Sequence, residues 1–295
     1  MQTHDLSRRE FVLGATTAML SVATARGQSR DLTAQDVADR IRENVGVPWR
    51  EKTVDGFKAG DPATVVTGIA TAVMATMDVL RRAAAAHQNF IIVQEPTFFS
   101  ADDSPGARAA DPVYLAKKNF IAEKRLVVWR FSDHWNARQP GEAARAVAAA
   151  LGWTASRPAI TEPIYHVPET TLGALTAHVR ATFGVRGGVR TVGEPAMRVR
   201  AVFISPGTTD LAGTLQNLRH ADLILAGEPR EWEAVPYALD TWAAGPGQAK
   251  GLIALGRVVS EGPSAQACSQ WIRGVVPGVP VAVIPTADPY WSSAV

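Results

Sequence analysis

A single cysteine, Cys268, stands in 295 residues, so no disulfide can form within the chain and the fold must hold without covalent cross-links. Its setting, SAQACSQWI, reads as the packed side of a helix rather than as a catalytic thiol. An excess of one charge is missing as well: 30 Lys and Arg face 28 Asp and Glu with no basic run, which excludes the electrostatic footprint of a nucleic-acid-binding protein. Long hydrophobic runs are absent, since VLGATTAMLSVATA near the start is too short and too rich in Thr, Ser and Gly for a membrane span. There is no GxSxG elbow, Walker loop, CxxC pair or HExxH helix, and no short-period repeat.

What is present begins at the amino terminus. SRREF followed by that mildly apolar stretch, with a small-x-small site at residues 23–25, has the layout of a twin-arginine export signal over residues 1–25. The expectation is a mature protein that is periplasmic or extracellular, free of the membrane once the signal is cleaved. About 270 residues then remain, enough for one large domain or two lobes sharing a crevice. Hydrophobic residues, at 46%, can fill a real core.

Along the chain, short apolar runs alternate with helical periodicity. Thr33 reads as the N-cap of a helix carrying Val37, Ile41 and Val45 on one face, and Gly46 ends it. TVVTGIATAVM reads as a strand, Thr76 as the cap of the next helix, and FIIV as the strand after it, the length of a parallel crossover unit. YLAKKNFIAEKR, LVVWRF and PGEAARAVAAALG continue as helix, strand and helix, with Pro140 before the last and Gly152 past its end. SRPAITEPIYHVPETT reads as a linker. Beyond it come helix LGALTAHVRATFG, strand RAVFIS, turn PGTTD, helix LAGTLQNLR, strand DLILAG, helix EWEAVPYALDTWA, strand GLIALG, helix SAQACSQWIRG and strand VPVAVIP. The fold class is α/β, with mostly parallel sheets flanked by helices, in two lobes of about 26–155 and 165–295 around one cleft.

In such folds ligands bind beyond the carboxyl ends of strands. The residues found there are Gln94 and Glu95 after FIIV, Asp133 and His134 after LVVWRF, Ser205 and Thr208 after AVFI, Glu228 after DLILAG, and Arg257 and Glu261 after GLIALG. A small-molecule ligand is the partner this pattern predicts. Thr208, in SPGTTD, reads either as a plain turn before a helix or as an anion cradle at a helix start. Trp129, Trp135, Trp232, Trp242 and Trp271 read as packing, with Trp135 close enough to His134 to wall a cleft.

The segments DGFKAGDP, GIATAVMATMDVLRRAAAAHQNFIIVQEPTFF, VVWRFSDHWNAR, ADLILAGEPREWEAV and LIALGRVVSEG resemble, in order and spacing, those of the Nif-three-like dinuclear-metal hexamer proteins, also labelled type 2 GTP cyclohydrolase I. The resemblance runs from about Asp55 to Pro285. It implies two packed α/β lobes, a homo-oligomer in the form of a toroidal hexamer, and two metal ions held by a His-His pair, an Asp and a GHxxxE element. On this chain the His-His pair falls on Gln94 and Glu95, the HTNxD segment keeps His134 but has Arg138 at its acid, and GHxxxE keeps Glu261 with Arg257 at its histidine.

Arginine has no lone pair to offer and stays protonated, so Arg138 and Arg257 cannot replace histidine or aspartate as ligands. Two readings stay open. In one, Gln94, Glu95, Asp133, His134 and Glu261 hold one divalent transition metal (Zn, Fe or Mn), with Glu95, His134 and Glu261 as the catalytic groups of a metal-dependent hydrolase acting on a small polar or anionic substrate near Thr208. In the other no metal binds, Arg138 and Arg257 neutralise Glu95 and Glu261, and the protein is a binding or structural member whose arginines hold an anion.

Overall fold

Beta-branched and aliphatic runs of four residues build the centre of a five-stranded sheet. The computed structural model describes residues 31–138, 141–153, 163–245 and 247–292; the export signal, its cleavage site and Pro140 lie outside them. From Leu32 onward the chain forms one compact unit. Helix α1 (Ala34–Asn44) leads in, capped by Thr33, whose hydroxyl accepts from the Asp36 N–H while Asp36 returns the bond, the reciprocal cap expected of this spacing. Strands β1 (Gly56–Ala59), β2 (Ile69–Ala72), β3 (Phe90–Val93) and β4 (Val127–Arg130) follow, with α2 (Met77–Ala85) and α3 (Pro112–Glu123) crossing between them. With β10 (Val281–Val283), the order across the sheet is β1-β4-β3-β2-β10, parallel except for β1 against β4.

Alternation along β3 explains why the strand is apolar throughout. Phe90 and Ile92 face a core shared with α1 and Trp129, while Ile91 and Val93 face another filled from α2 and α3. Each such side chain, once fully buried, contributes about 1.5–3 kcal/mol.

The second sheet, order β5-β7-β8-β9-β6, is parallel at its centre and antiparallel at both edges. It comprises β5 (Ile164–Thr171), β6 (Arg190–Val192), β7 (Arg198–Thr209), β8 (Leu223–Pro229) and β9 (Gly251–Ala254). The short α4 (Asp133–Arg138) and α5 (Glu142–Ala150) precede it, and α6 (Leu172–Phe183), α7 (Leu211–Leu218) and α8 (Ala234–Ala243) connect its strands. The nineteen-residue α9 (Arg257–Val275) and β10 (Val281–Val283) end the fold. Among the described residues no helix is long and apolar enough to cross a membrane.

Three expectations are corrected. IYHVPETT is not linker but edge strand β5, which tolerates Pro168 at an irregularity between His166 and Thr170. PGTTD is not a turn: β7 runs on to Thr209, with Gly207 (φ +69°) absorbing a register shift, and Asp210 caps α7 instead. The last helix begins at Arg257 rather than at Ser264, despite Pro263 within it. Helix α5 packs on the second sheet, whereas Cys268, Ile272, Val276 and Val281 pack on the first and β10 pairs with β2.

Candidate functional site

Helix α9 starts where the second sheet ends, and its first residue is the centre of the charged cluster. Its start is seated by glycines: the Gly256 N–H donates to the Gly227 carbonyl, and the Gly207 N–H donates to Ser260 Oγ at 3.1 Å. A methyl group on Gly207 would meet Glu261 Oε1 at 2.5 Å, and one on Gly227 would meet the Gly207 carbonyl at 2.4 Å. Only bare backbone lets the helix and Glu261 come this close to β7 and β8.

From that seat Arg257 reaches three carboxyl groups. Its Nη2 lies 3.1 Å from Glu95 Oε1 at the end of β3, its Nη1 3.2 Å from Glu228 Oε2 near the end of β8, and its Nε 3.9 Å from Glu261 Oε1 one helical turn on. Glu95 is buried, Glu228 is exposed, and the Glu261 side chain keeps 14% of its surface. Burial pushes the Glu261 carboxyl up to about 8; the neighbouring Glu95 adds to the shift and Arg257 offsets only part of it. Two polar atoms here, Arg257 Nε and Glu261 Oε2, are buried with no hydrogen-bond partner.

His134 does not join them. Its Nε2 accepts the Arg50 main-chain N–H at 2.9 Å, so the ring proton sits on Nδ1, which donates to Asp55 Oδ2 at 2.7 Å. The ring is fully buried and stacked on Trp49, with centroids 3.7 Å apart. Both ring nitrogens are engaged, so His134 presents no open nitrogen to the Arg257 cluster. Asp55 also accepts the N–H groups of Ser132, Asp133 and His134, capping α4 from far along the chain.

The other predicted residues are placed as follows. Gln94 donates from Nε2 to Ser264 Oγ on α9, an oxygen that also accepts from Trp135 Nε1, so Gln94 turns to the helix rather than to Arg257. Asp133 accepts from the Thr53 hydroxyl and the Val54 N–H; burial works to raise its carboxyl, but these bonds and the Arg50 guanidinium hold it below the usual range. Arg138 lies over the rings of Trp135 and Trp271, at 5.5 and 4.7 Å from their centroids, and so is no part of the Arg257 cluster. Thr208 is an exposed strand residue paired with Glu228, not a helix-start anion cradle. Trp129 and Trp135 are buried as packing residues, while Trp232 is 76% exposed. Burial pushes the Cys268 thiol up, in keeping with an inert core cysteine.

Glu95 and Glu261 therefore converge, with a guanidinium beside them. Among the described residues no group of three or more His, Cys, Asp and Glu side chains is arranged to hold a metal ion. A donor set of two carboxyls and an arginine does not fit a divalent cation, because the guanidinium offers no lone pair and brings its own positive charge. Glu228 was legible as a strand-end acid; Ser264 and Asp55 carried no signal in the sequence.

The model of the DUF34/NIF3 (NGG1p interacting factor 3) family matches residues 33–242. The chain belongs to this NIF3 family. Its fold is similar to that of a Bacillus cereus protein related to NIF3, at TM-score 0.71 and 14% identity over 89% of this chain and 99% of that one. Staphylococcus aureus protein SA1388 superposes at TM-score 0.68 with 16% identity over 89% and 99% of the two chains. Reduced HcgD from Methanocaldococcus jannaschii does so at 0.58 with 10% identity over 86% and 98%. No curated protein matches the chain in sequence. At these identities the NIF3 structures establish the architecture, and the site must be argued from this chain's own residues.

Proposed function

We propose that this NIF3-family protein is a metal-free binding protein, exported by the twin-arginine route, whose cleft uses Arg257 as its cation and takes a small polar ligand. The observation that carries the reading is the position of Arg257 between Glu95, Glu228 and Glu261. Buried carboxylates need a compensating cation, and a guanidinium with three nitrogens facing three carboxyl groups meets that need. The single-metal hydrolase reading needs His134 as its nitrogen ligand, and both ring nitrogens of His134 are hydrogen-bonded elsewhere.

The same geometry narrows the ligand. With the guanidinium already turned toward carboxyl groups, a simple anion gains little from it, so the cluster favours a neutral or cationic polar group that bonds to the exposed Glu228 and to the unpartnered Glu261 Oε2. Export is supported by SRREF and the residues that follow it, and a hexameric ring by the family resemblance. Elemental analysis of the protein purified from its native host tests the central claim. Less than a stoichiometric amount of transition metal is expected, with Arg257→His gaining affinity for zinc; a full equivalent of bound metal in the unaltered protein would overturn the reading.

A further inference from the structure

A second set of charged side chains, none of them in the Arg257 cluster, gathers at the first sheet beside the loop between β3 and α3. Lys58 sits at the irregularity in β1: Phe57 pairs with Trp129 and Ala59 with Val128, so Lys58 has no partner residue and its side chain is re-aimed. Arg130 is the last residue of β4, and Lys117 comes from α3. Against them stands Asp103, in the left-handed region at φ +63°.

The hydrogen-bond accounting is uneven. Asp103 Oδ1 accepts the N–H groups of Thr97 and Phe98 at 2.5 and 2.8 Å, which fixes the carboxylate. Its Oδ2 has no hydrogen-bond partner, yet Arg130 Nη1 stands 3.6 Å and Lys58 Nζ 3.8 Å from it. One oxygen therefore gathers two cations without consuming their donors. Arg130 spends Nε on the Gln94 carbonyl and Nη1 on the Ala101 carbonyl, leaving Nη2 without a hydrogen bond among the described residues. Lys58 Nζ likewise makes none among them, whereas Lys117 Nζ is committed to the Thr97 carbonyl at 2.5 Å.

Charge is uneven too. Three cations surround one carboxylate, and the side chains of Lys58, Arg130 and Asp103 are 13%, 10% and 4% exposed. Asp55 and Asp102 act only at longer range, both oxygens of Asp55 being taken by the start of α4 and Oδ1 of Asp102 by Ser100 and Ser104. Burial lowers the Lys58 ammonium despite Asp103, and pushes Lys117 down to about 8, as expected of cations short of acceptors. Lys58 and Arg130 still keep about a tenth of their side-chain surface open to solvent.

We propose that Lys58 and Arg130 form an oxyanion site that takes a carboxylate or phosphate group, with Asp103 holding the two cations in place. The site does not depend on the reading of the Arg257 cluster, because it shares no side chain with it. Calorimetric titration of the full-length protein with inorganic phosphate, and separately with malonate, at constant ionic strength tests the assignment. Saturable binding of either anion at one site per chain is expected, weakened about tenfold or more in Lys58→Met, since that variant removes a charge-assisted hydrogen bond. Lys58→Arg should retain binding, and the exposed Arg198→Ala should not alter it. The anion that binds assigns the class. No saturable binding of either, or equal affinity in Lys58→Met, overturns the site. A second measurement needs no variant: the bound anion should protect Lys58 from an amine-reactive acetylating reagent, read by mass spectrometry, and equal labelling with and without anion overturns the proposal even if Lys58→Met does not fold.

Discussion

Arg257, on the helix that leaves the second sheet, stands 3.1 Å from Glu95 at the end of a strand in the first, so one ion pair links the two sheets. Glu261 is nearer in sequence but lies farther off, at 3.9 Å. The guanidinium sits at the amino end of α9, where the helix dipole disfavours positive charge, and the carboxyl groups around it compensate.

Replacing Arg257 by Met leaves those acids without their cation. A loss of about 1–3 kcal/mol in urea unfolding at pH 7 is expected, moderated because Arg257 is 31% exposed. The loss should be larger at pH 9, where Glu261 carries its charge, than at pH 7. An equal loss at both pH values would show that Arg257 acts by packing alone.

Glu261 sets a pH dependence whose sign can be worked out. Its carboxyl is raised to about 8 in the fold, so between the ordinary glutamate value and 8 the folded chain holds a proton that the unfolded chain has released. Stability from this group is present in acid and is lost as pH rises through that window. Thermal melting from pH 4 to 9 should show the decline in the unaltered protein and a flatter profile in Glu261→Gln. Identical profiles would remove Glu261 as the titrating group.

Asp55 acts through α4. Its carboxylate accepts five hydrogen bonds from Ser132, Asp133 and His134, one of them from the Ser132 hydroxyl and one from the imidazole. Asp55→Ala should cost about 2–4 kcal/mol, as a lost cap combined with unsatisfied buried donors. Chemical denaturation provides the number. Fluorescence should report the release of Trp49 from its stack on His134, and an unchanged emission spectrum would contradict the coupling.

Gly227 gives a steric test of how α9 is seated. Its added methyl in Gly227→Ala would lie 2.4 Å from both the Gly207 carbonyl and Ser260 Oγ, so a destabilisation of about 1–3 kcal/mol is expected. Gly262→Ala, where nothing lies within 4 Å, serves as the neutral control on the same helix.

The buried strands were the most legible part of the fold. FIIV and the LVVW of LVVWRF are apolar because β3 and β4 are covered on both faces. The start of α9 was hidden by Gly262 and Pro263, which normally punctuate a helix, and β5 by Pro168, which an edge strand can carry. At the candidate site, Glu95, Glu228 and Glu261 were visible as acids following strands. In sequence, a strand-end histidine such as His134 looks the same whether it binds a ligand or is held by its neighbours. What distinguishes the two is Asp55, 79 residues earlier, and no local pattern connects them.

The last strand has a consequence for biogenesis. Met74 and Thr286, joined where β10 docks beside β2, are 212 residues apart. During synthesis the first sheet therefore emerges from the ribosome with one edge bare and waits for nearly the whole polypeptide before that edge is covered. Nascent chains halted before β10 should need chaperone protection, whatever native-like helices they already contain.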